Sequence, residues 1–215
     1  MPIRSSLIFA LSAFWISTIF GQTNSLRKLE TAISDHVEDG RILGAQLIVG
    51  QHDKLLLERS FGIRSANDPT AVDSTTQFCI GSCSKPFASA TILSLVQSEH
   101  LDLDTPISSL LPEFESLKIK NEGLAKRSPS LRELLCHRGG IYSQKQVMNR
   151  RQGHWIRDFK LTLEDAVKGI AGESLISAPG TDYAYSGAGY CVIGRVAEAG
   201  MNQSFESIFQ RQIGA

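Results

Sequence analysis

A proline at position 86 limits how the stretch CIGSCSKPF, residues 79–87, can fold. Proline lacks an N–H, and its ring collides with the carbonyl four residues earlier, here that of Ser82, so a helix tolerates it only in the first turn. Phe87, Ile92, Leu95 and Val96 have the spacing of a buried helix that ends near His100. That helix must therefore begin at about Ser82. The strand-like TTQFCIG leads into it, and Gly81 eases the turn.

A helix start at Ser82 has chemical consequences. Its first N–H groups have no intrahelical acceptor and lie at the positive end of the helix dipole. Such groups stabilise a developing oxyanion. Lys85, three residues on, shares a helix face with Ser82. A serine hydroxyl is a poor nucleophile until a base takes its proton, and a desolvated amine is one such base. Ser-x-x-Lys here is a candidate acyl-transfer pair. Serine is also a favoured helix cap, so the four residues alone carry a structural reading as well. Ser84 and Cys83 compete as nucleophiles, the latter with His137 as its partner.

The rest of the chain reads as a helix, a hairpin and a long helical stretch. Leu26, Leu29, Ile33 and Val37 mark an amphipathic helix stopped by Gly40. Residues 45–49 and 54–61 are β-type runs around a GQHD turn. SANDPTAVDSTTQF is turn-rich loop, and the segment after His100 is a connector with two prolines. Ser130 with Glu133 forms a capping box for a short helix that the Gly139-Gly140 pair ends. RRQGHWIRDFK reads as exposed and polar. Thr162 caps another short helix, SAPGTDYAYSGAG is a loop, and two helices follow. Two strands are too few for a stable sheet, so the sheet is expected to be completed by further strands or by another chain.

Acidic and basic residues balance at 22 each, so no basic excess points to nucleic acid. Arg4 followed by the apolar run Leu7 to Phe20 and Gly21 reads as a signal peptide over residues 1–21, with an uncleaved anchor as the alternative. The run is shorter than the ~20 residues that span a bilayer, so no stable membrane span is expected after cleavage. The expected mature chain, residues 22–215, is exported, either periplasmic or secreted. Cys79, Cys83, Cys136 and Cys191 could pair in such a compartment, but most read as small buried apolar residues. No CxxC and no His pair has metal-ligand spacing, so no zinc site is expected.

Tyr185 stands in a glycine-rich loop just before a helix. A tyrosine beside a lysine ammonium can ionise and act as a general base. At this point the chain resembles a family. FCIGSCSKPFASATILSLVQSEHLDLDTPISSLLPEF, LRELLCHRGGI and GTDYAYSGAGYCVIGRVAEAG resemble successive blocks of the serine β-lactamase-related proteins, which include class C β-lactamases, D-alanyl-D-alanine carboxypeptidases and esterases. The resemblance runs over roughly residues 25–215. It implies an α+β fold of β-lactamase/transpeptidase type: an antiparallel sheet with flanking helices and a helical lobe. It implies Ser82 as acylated nucleophile, Lys85 as the lysine that helps deprotonate it, and Tyr185 as general acid/base. It implies no metal or organic cofactor, and an ester, β-lactam or peptidoglycan-peptide substrate.

Two departures shape the expectation. The family's tyrosine element usually ends in Asn, whereas here it reads Tyr185-Ser186-Gly187, so the substrate-binding position Gly187 has no carboxamide. Ester cleavage is favoured over amide recognition for that reason. The family's third motif, Lys-Thr-Gly or His-x-Gly on a strand, is not found, and the HRGG at His137 reads as structural. The expected sheet is therefore incomplete in a C-terminally truncated chain. A non-enzymatic alternative follows, in which the chain binds cell-wall peptide or a partner without turnover. An α/β-hydrolase would need Gly-x-Ser-x-Gly at a strand-to-helix turn, which GSCSK does not supply.

Overall fold

The computed structural model describes residues 24–143 and 149–214. The segment read as a signal peptide lies outside the described residues. Two compact units divide at Cys79/Ile80.

The first unit holds helix α1, residues 24–38, and a three-stranded antiparallel sheet ordered β1-β2-β3. Its strands are β1 (Gly44–Gln51), β2 (Lys54–Ser65) and β3 (Asp68–Ala71). The β1–β2 hairpin runs from Gln51 opposite Lys54 to Gly44 opposite Gly62, with an irregularity at Val49/Gly50. The turn falls where GQHD predicts it, with His52 in the left-handed region at φ 52°. Of the four apolar positions that predict α1, Leu26, Ile33 and Val37 are half-buried and Leu29 is exposed. Arg59 of β2 pairs with Glu30 of α1 at 2.7 Å. Gly62 is required by position. Its φ is +69°, and a Cβ there would lie 2.1 Å from the Leu43 carbonyl oxygen and 2.9 Å from Val37 Cγ1.

β3 lies in the stretch expected to be loop. Asp68 and Pro69 depress strand propensity, and only Ile63–Ala71 and Ser65–Asp68 pair. Local bonds hold the turn: Ser65 Oγ accepts from the Asp68 N–H at 3.0 Å, and Asp68 accepts from the Thr70 N–H at 3.1 Å. The expected strand character of TTQFCIG is not realised, since residues 76–80 carry no strand.

The second unit is helical and contains the main core. A 3-10 turn, Gly81–Cys83, runs into α2 (Ser84–Gln97). Two further 3-10 turns, Ile107–Ser109 and Pro112–Phe114, form the connector. A two-stranded hairpin of β4 (Lys118–Ile119) and β5 (Gly123–Leu124) follows. Then come α3 (Leu131–Leu135), α4 (Arg150–Arg157), α5 (Leu163–Ala171), α6 (Gly187–Met201) and α7 (Phe205–Gln212). The apolar helix α6 is central and touches α2, α3, α4, α5 and α7. Its Val192, Ile193 and Val196 are buried with Ile92, Leu95, Phe114 and Ile208. Each such side chain contributes roughly 1.5–3 kcal/mol of burial.

Several local expectations meet their physical cause here. The Ser130–Glu133 capping box forms in both directions. Thr162 Oγ1 accepts the Asp165 N–H at 3.1 Å to start α5. α2 begins within a turn of Ser82, as Pro86 requires, but Phe87 on its early face is 49% exposed. α3 ends at Leu135, before Gly139, because the Cys136 and His137 amides bond back to Arg132 and Leu134 and His137 itself takes the left-handed conformation at φ 57°. α4 forms where an exposed polar stretch was expected. Asn149 and Gln152 cap it reciprocally, and Trp155 and Ile156 pack against the core. Its three arginines and one histidine mask that apolar face in the sequence.

The four cysteines are free, and Cys79, Cys83 and Cys136 are exposed rather than buried. Only Cys191, partly buried, packs against the core as expected. Among the described residues no helix is long and apolar enough to cross a membrane.

Candidate active site

Gly81, at φ +52°, turns the chain so that Ser82 sits in the 3-10 turn that opens α2. Lys85 lies one turn on, and its Nζ donates to Ser82 Oγ at 3.2 Å. The Tyr185 hydroxyl donates to the same oxygen at 2.7 Å. Three side chains separated by up to 103 positions thus meet at one serine oxygen. All three belong to the helical unit.

Of the competing nucleophiles, Ser84 lies in a different pocket, whereas Cys83 is exposed next to Ser82 and acts on Tyr185 through charge. Ser84 lines a mostly apolar pocket with Phe87, Ala88, Phe205 and Phe209. His137, the partner a cysteine mechanism would need, has its Nδ1 engaged by the Ser186 N–H at 3.1 Å.

Tyr185 is held by the loop that precedes α6. Its carbonyl accepts from Ser143 Oγ at 2.8 Å. Ser186 caps α6 by accepting the Gly189 N–H at 2.9 Å, and its hydroxyl donates to the Tyr142 carbonyl at 2.8 Å. The Ala184 N–H donates to the His137 carbonyl at 2.8 Å. Arg138 donates to the carbonyls of Gly180, at 3.0 Å, and Thr181, at 2.9 Å. Gly187 is the first residue of α6 and offers only backbone.

Aromatic rings surround the cation. Lys85 Nζ lies 4.8 Å from the Tyr185 ring centroid and 5.3 Å from that of Tyr190. Cation–π attraction holds an ammonium in such a place. Tyr190 OH is 3.1 Å from Ser89 Oγ and donates to the Leu135 carbonyl at 3.4 Å. The His137 ring lies against Tyr185 at 4.5 Å, Tyr190 at 5.2 Å and Tyr183 at 5.9 Å.

These contacts perturb two groups. The Tyr185 hydroxyl is shifted below its ordinary pKa, first by its hydrogen bond with the Lys85 ammonium and then by that with Ser82. His137 is held below the usual imidazole value, first by burial and then by the Lys85 charge. A serine with a lowered-pKa phenol and an ammonium on its oxygen is equipped for proton transfer during acyl exchange.

The structure brings together Ser82, Lys85 and Tyr185, the three residues singled out in the sequence. Sequence reasoning placed no partner at Tyr190, Ser186 or Ser143. Ser186 was legible in part, as a serine three residues before Gly189 at a helix start. Spacing alone does not mark the place of His137 against the Tyr185 ring, since 49 positions separate it from Ser186 in the sequence.

Comparison with known proteins identifies the family and the fold. The family model described as Beta-lactamase matches residues 29–215. Esterase EstB of Burkholderia gladioli is 30% identical over 186 residues, covering 82% of this chain and 45% of the esterase. The solved structure of EstCE1, described as a hydrolase with promiscuous acyltransferase activity, superposes with a TM-score of 0.76 at 25% identity, over 89% of this chain and 51% of that one. The octameric penicillin-binding protein homologue from Pyrococcus abyssi shares the fold, with a TM-score of 0.69 at 23% identity over 87% of this chain and 42% of its own. The fold is thus the α+β fold of β-lactamases and transpeptidases, here with a small antiparallel sheet. The chain spans about a third to a half of the length of the relatives it matches.

Proposed function

This chain belongs to the β-lactamase family, and from that premise we propose that it is an exported serine hydrolase that cleaves esters through an acyl-enzyme at Ser82. One observation carries the reading: the Tyr185 hydroxyl and the Lys85 ammonium both reach Ser82 Oγ, at 2.7 and 3.2 Å.

The chemistry follows from that geometry. When Tyr185 is ionised, with Lys85 compensating the charge, the Ser82 O–H donates to the phenolate instead of accepting from the phenol. Ser82 Oγ attacks the ester carbonyl and its proton passes to Tyr185. The oxyanion of the tetrahedral intermediate is met by the Ser82 N–H at the start of the helical turn. The alcohol leaves with the proton from Tyr185, giving the Ser82 ester. Water then attacks that ester, yields a proton to Tyr185, and releases the acid as Ser82 recovers its hydrogen. The sum is ester plus water giving acid plus alcohol.

An ester is preferred over a β-lactam or a peptidoglycan peptide because Gly187 offers no carboxamide for a substrate amide. The names of EstB and EstCE1 point the same way for those proteins. Export rests on the pattern of Arg4 and the apolar run Leu7–Phe20.

Intact mass of the chain after exposure to an activated short-chain ester, and separately to a penicillin, tests the reading. An acyl adduct that S82A lacks is expected with the ester. Undiminished turnover by S82A would refute it. An adduct that forms but never clears favours the alternative, binding without turnover. The N-terminus of protein recovered outside the cytoplasm should lie near Gln22, and retention of Met1 would refute signal cleavage.

A further inference from the structure

We infer that His137 is a positioning residue for Tyr185, and that its neutral imidazole, by accepting the Ser186 N–H, keeps the tyrosine hydroxyl on Ser82. The effect on rate rests on the hydrolase reading above, whereas the hydrogen bond and its titration do not.

Tyr185 is restrained at three places. Its hydroxyl meets Ser82 at 2.7 Å, and its carbonyl accepts from Ser143 at 2.8 Å. The peptide N–H that follows it, that of Ser186, donates to His137 Nδ1 at 3.1 Å. The same imidazole lies against the phenol ring, with centroids 4.5 Å apart. His137 therefore holds both the ring of Tyr185 and the backbone beside it. It does so from a fixed backbone, in the left-handed conformation at the end of α3, with its own carbonyl accepting the Ala184 N–H.

The bond needs one protonation state. An Nδ1 that accepts leaves the ring proton on Nε2. Protonation puts a second donor on Nδ1, and two N–H groups then face each other. The groups around the ring make that change costly. Lys85 reaches toward it from α2, and Tyr183, Tyr185 and Tyr190 surround it from the loop and α6. Arg138, the next residue, directs its guanidinium to the Gly180 and Thr181 carbonyls. Burial and the Lys85 charge both favour the neutral ring, which agrees with the acceptor role. Below its lowered pKa the imidazolium would release Ser186 and let Tyr185 drift. A displacement of ~1 Å at a reacting group costs on the order of 100-fold in rate.

Two measurements on the full chain test this. The first needs no activity. In 15N-labelled wild-type protein, the Ser186 amide proton should titrate with the same midpoint as the His137 ring, below the ordinary 6.5 of histidine. A Ser186 amide that stays still while His137 titrates overturns the proposal. The second follows the rate at which an activated phosphonate labels Ser82 against pH. Ionisation of Tyr185 by itself gives about tenfold per pH unit, so below the His137 midpoint the wild-type rate should fall more steeply than that. H137N keeps an acceptor oxygen near Nδ1 and tolerates left-handed backbone, so it should label within about threefold of wild type at neutral pH and fall in acid only as Tyr185 ionisation dictates. H137A should be about 10–100-fold slower at neutral pH. An acid limb as steep in H137N as in wild type overturns the proposal. Wild type that never labels refutes the hydrolase reading, and the amide titration then still decides the role of His137.

Discussion

Replacing Tyr185 by Phe removes one oxygen and leaves the ring in place. That oxygen donates to Ser82 Oγ at 2.7 Å and interacts with the Lys85 ammonium. The ring contacts with His137 at 4.5 Å and with Lys85 Nζ at 4.8 Å do not involve it. The loop bonds through Ser143, Ser186 and Ala184 are all to backbone or to other side chains. Y185F should therefore fold as wild type does, with thermal unfolding unchanged within a few degrees. Its rate is another matter. A positioned general base contributes about 10²–10⁴-fold, or roughly 3–5 kcal/mol of barrier at ~1.4 kcal/mol per tenfold. Labelling of Ser82 by an activated phosphonate, followed by intact mass, should slow by that factor. The pH dependence has a definite sign. The base form of Tyr185 exists above its folded pKa, which Lys85 lowers, so the wild-type rate climbs with pH through that lowered value. Y185F should lack this climb. Labelling of Y185F within tenfold of wild type, with the same profile, would refute the assignment and leave Lys85 as the base.

Three further outcomes are expected. K85M should lose labelling, and the Tyr185 phenolate signal, read as the ultraviolet difference from the corresponding Y185F double variant, should move up toward the ordinary value of 10.0; a signal that does not move would mean that Lys85 does not set it. E133Q should destabilise the helical unit by about 1–2 kcal/mol in urea unfolding near neutral pH, because Glu133 accepts from Arg127 at 2.8 and 2.5 Å and from the Ser130 N–H at 2.9 Å. Its carboxyl is depressed below 4.5, chiefly by Arg127, so the wild-type advantage should be full above that value and vanish as pH falls through the folded one; a gap that persists in acid would refute the linkage. G62A should cost more than ~2 kcal/mol and abolish exchange protection of the Ile63 amide, which bonds the Leu43 carbonyl at 2.9 Å; retained protection would mean the strand absorbs the clash of a Cβ with that carbonyl.

The elements that the sequence predicts correctly are those with a short-range cause. Pro86 limits where α2 starts because its ring acts on a carbonyl four residues away. Ser130 with Glu133, and Thr162 with Asp165, satisfy orphan amides within one turn, so both caps are readable from spacing. The errors arise where distant contacts outweigh local preference. α4 looks like a solvated cationic stretch, yet Trp155 and Ile156 find the core and tip it into a helix. β3 contains Asp68 and Pro69 and forms because β2 is already beside it. α3 ends at Leu135 rather than at the following glycines, with His137 in the left-handed conformation just beyond it, where the surrounding tyrosines and the Ser186 amide meet its ring.

The sequence by itself determined that Ser82 and Lys85 share the opening turn of a helix, since three residues of spacing and one proline suffice for that. It also carried Tyr185 as a candidate, through the blocks that resemble the family. Only the tertiary structure decided that Tyr185 reaches Ser82, because that contact depends on α6 packing against α2 and α3 with Val192, Ile193 and Val196 buried between helices. It likewise decided which serine is addressed, with Ser82 facing Lys85 and Tyr185 and Ser84 lining the apolar pocket. Spacing sets what neighbours along a helix can share, whereas burial of the core sets which distant loops are brought to it and held there.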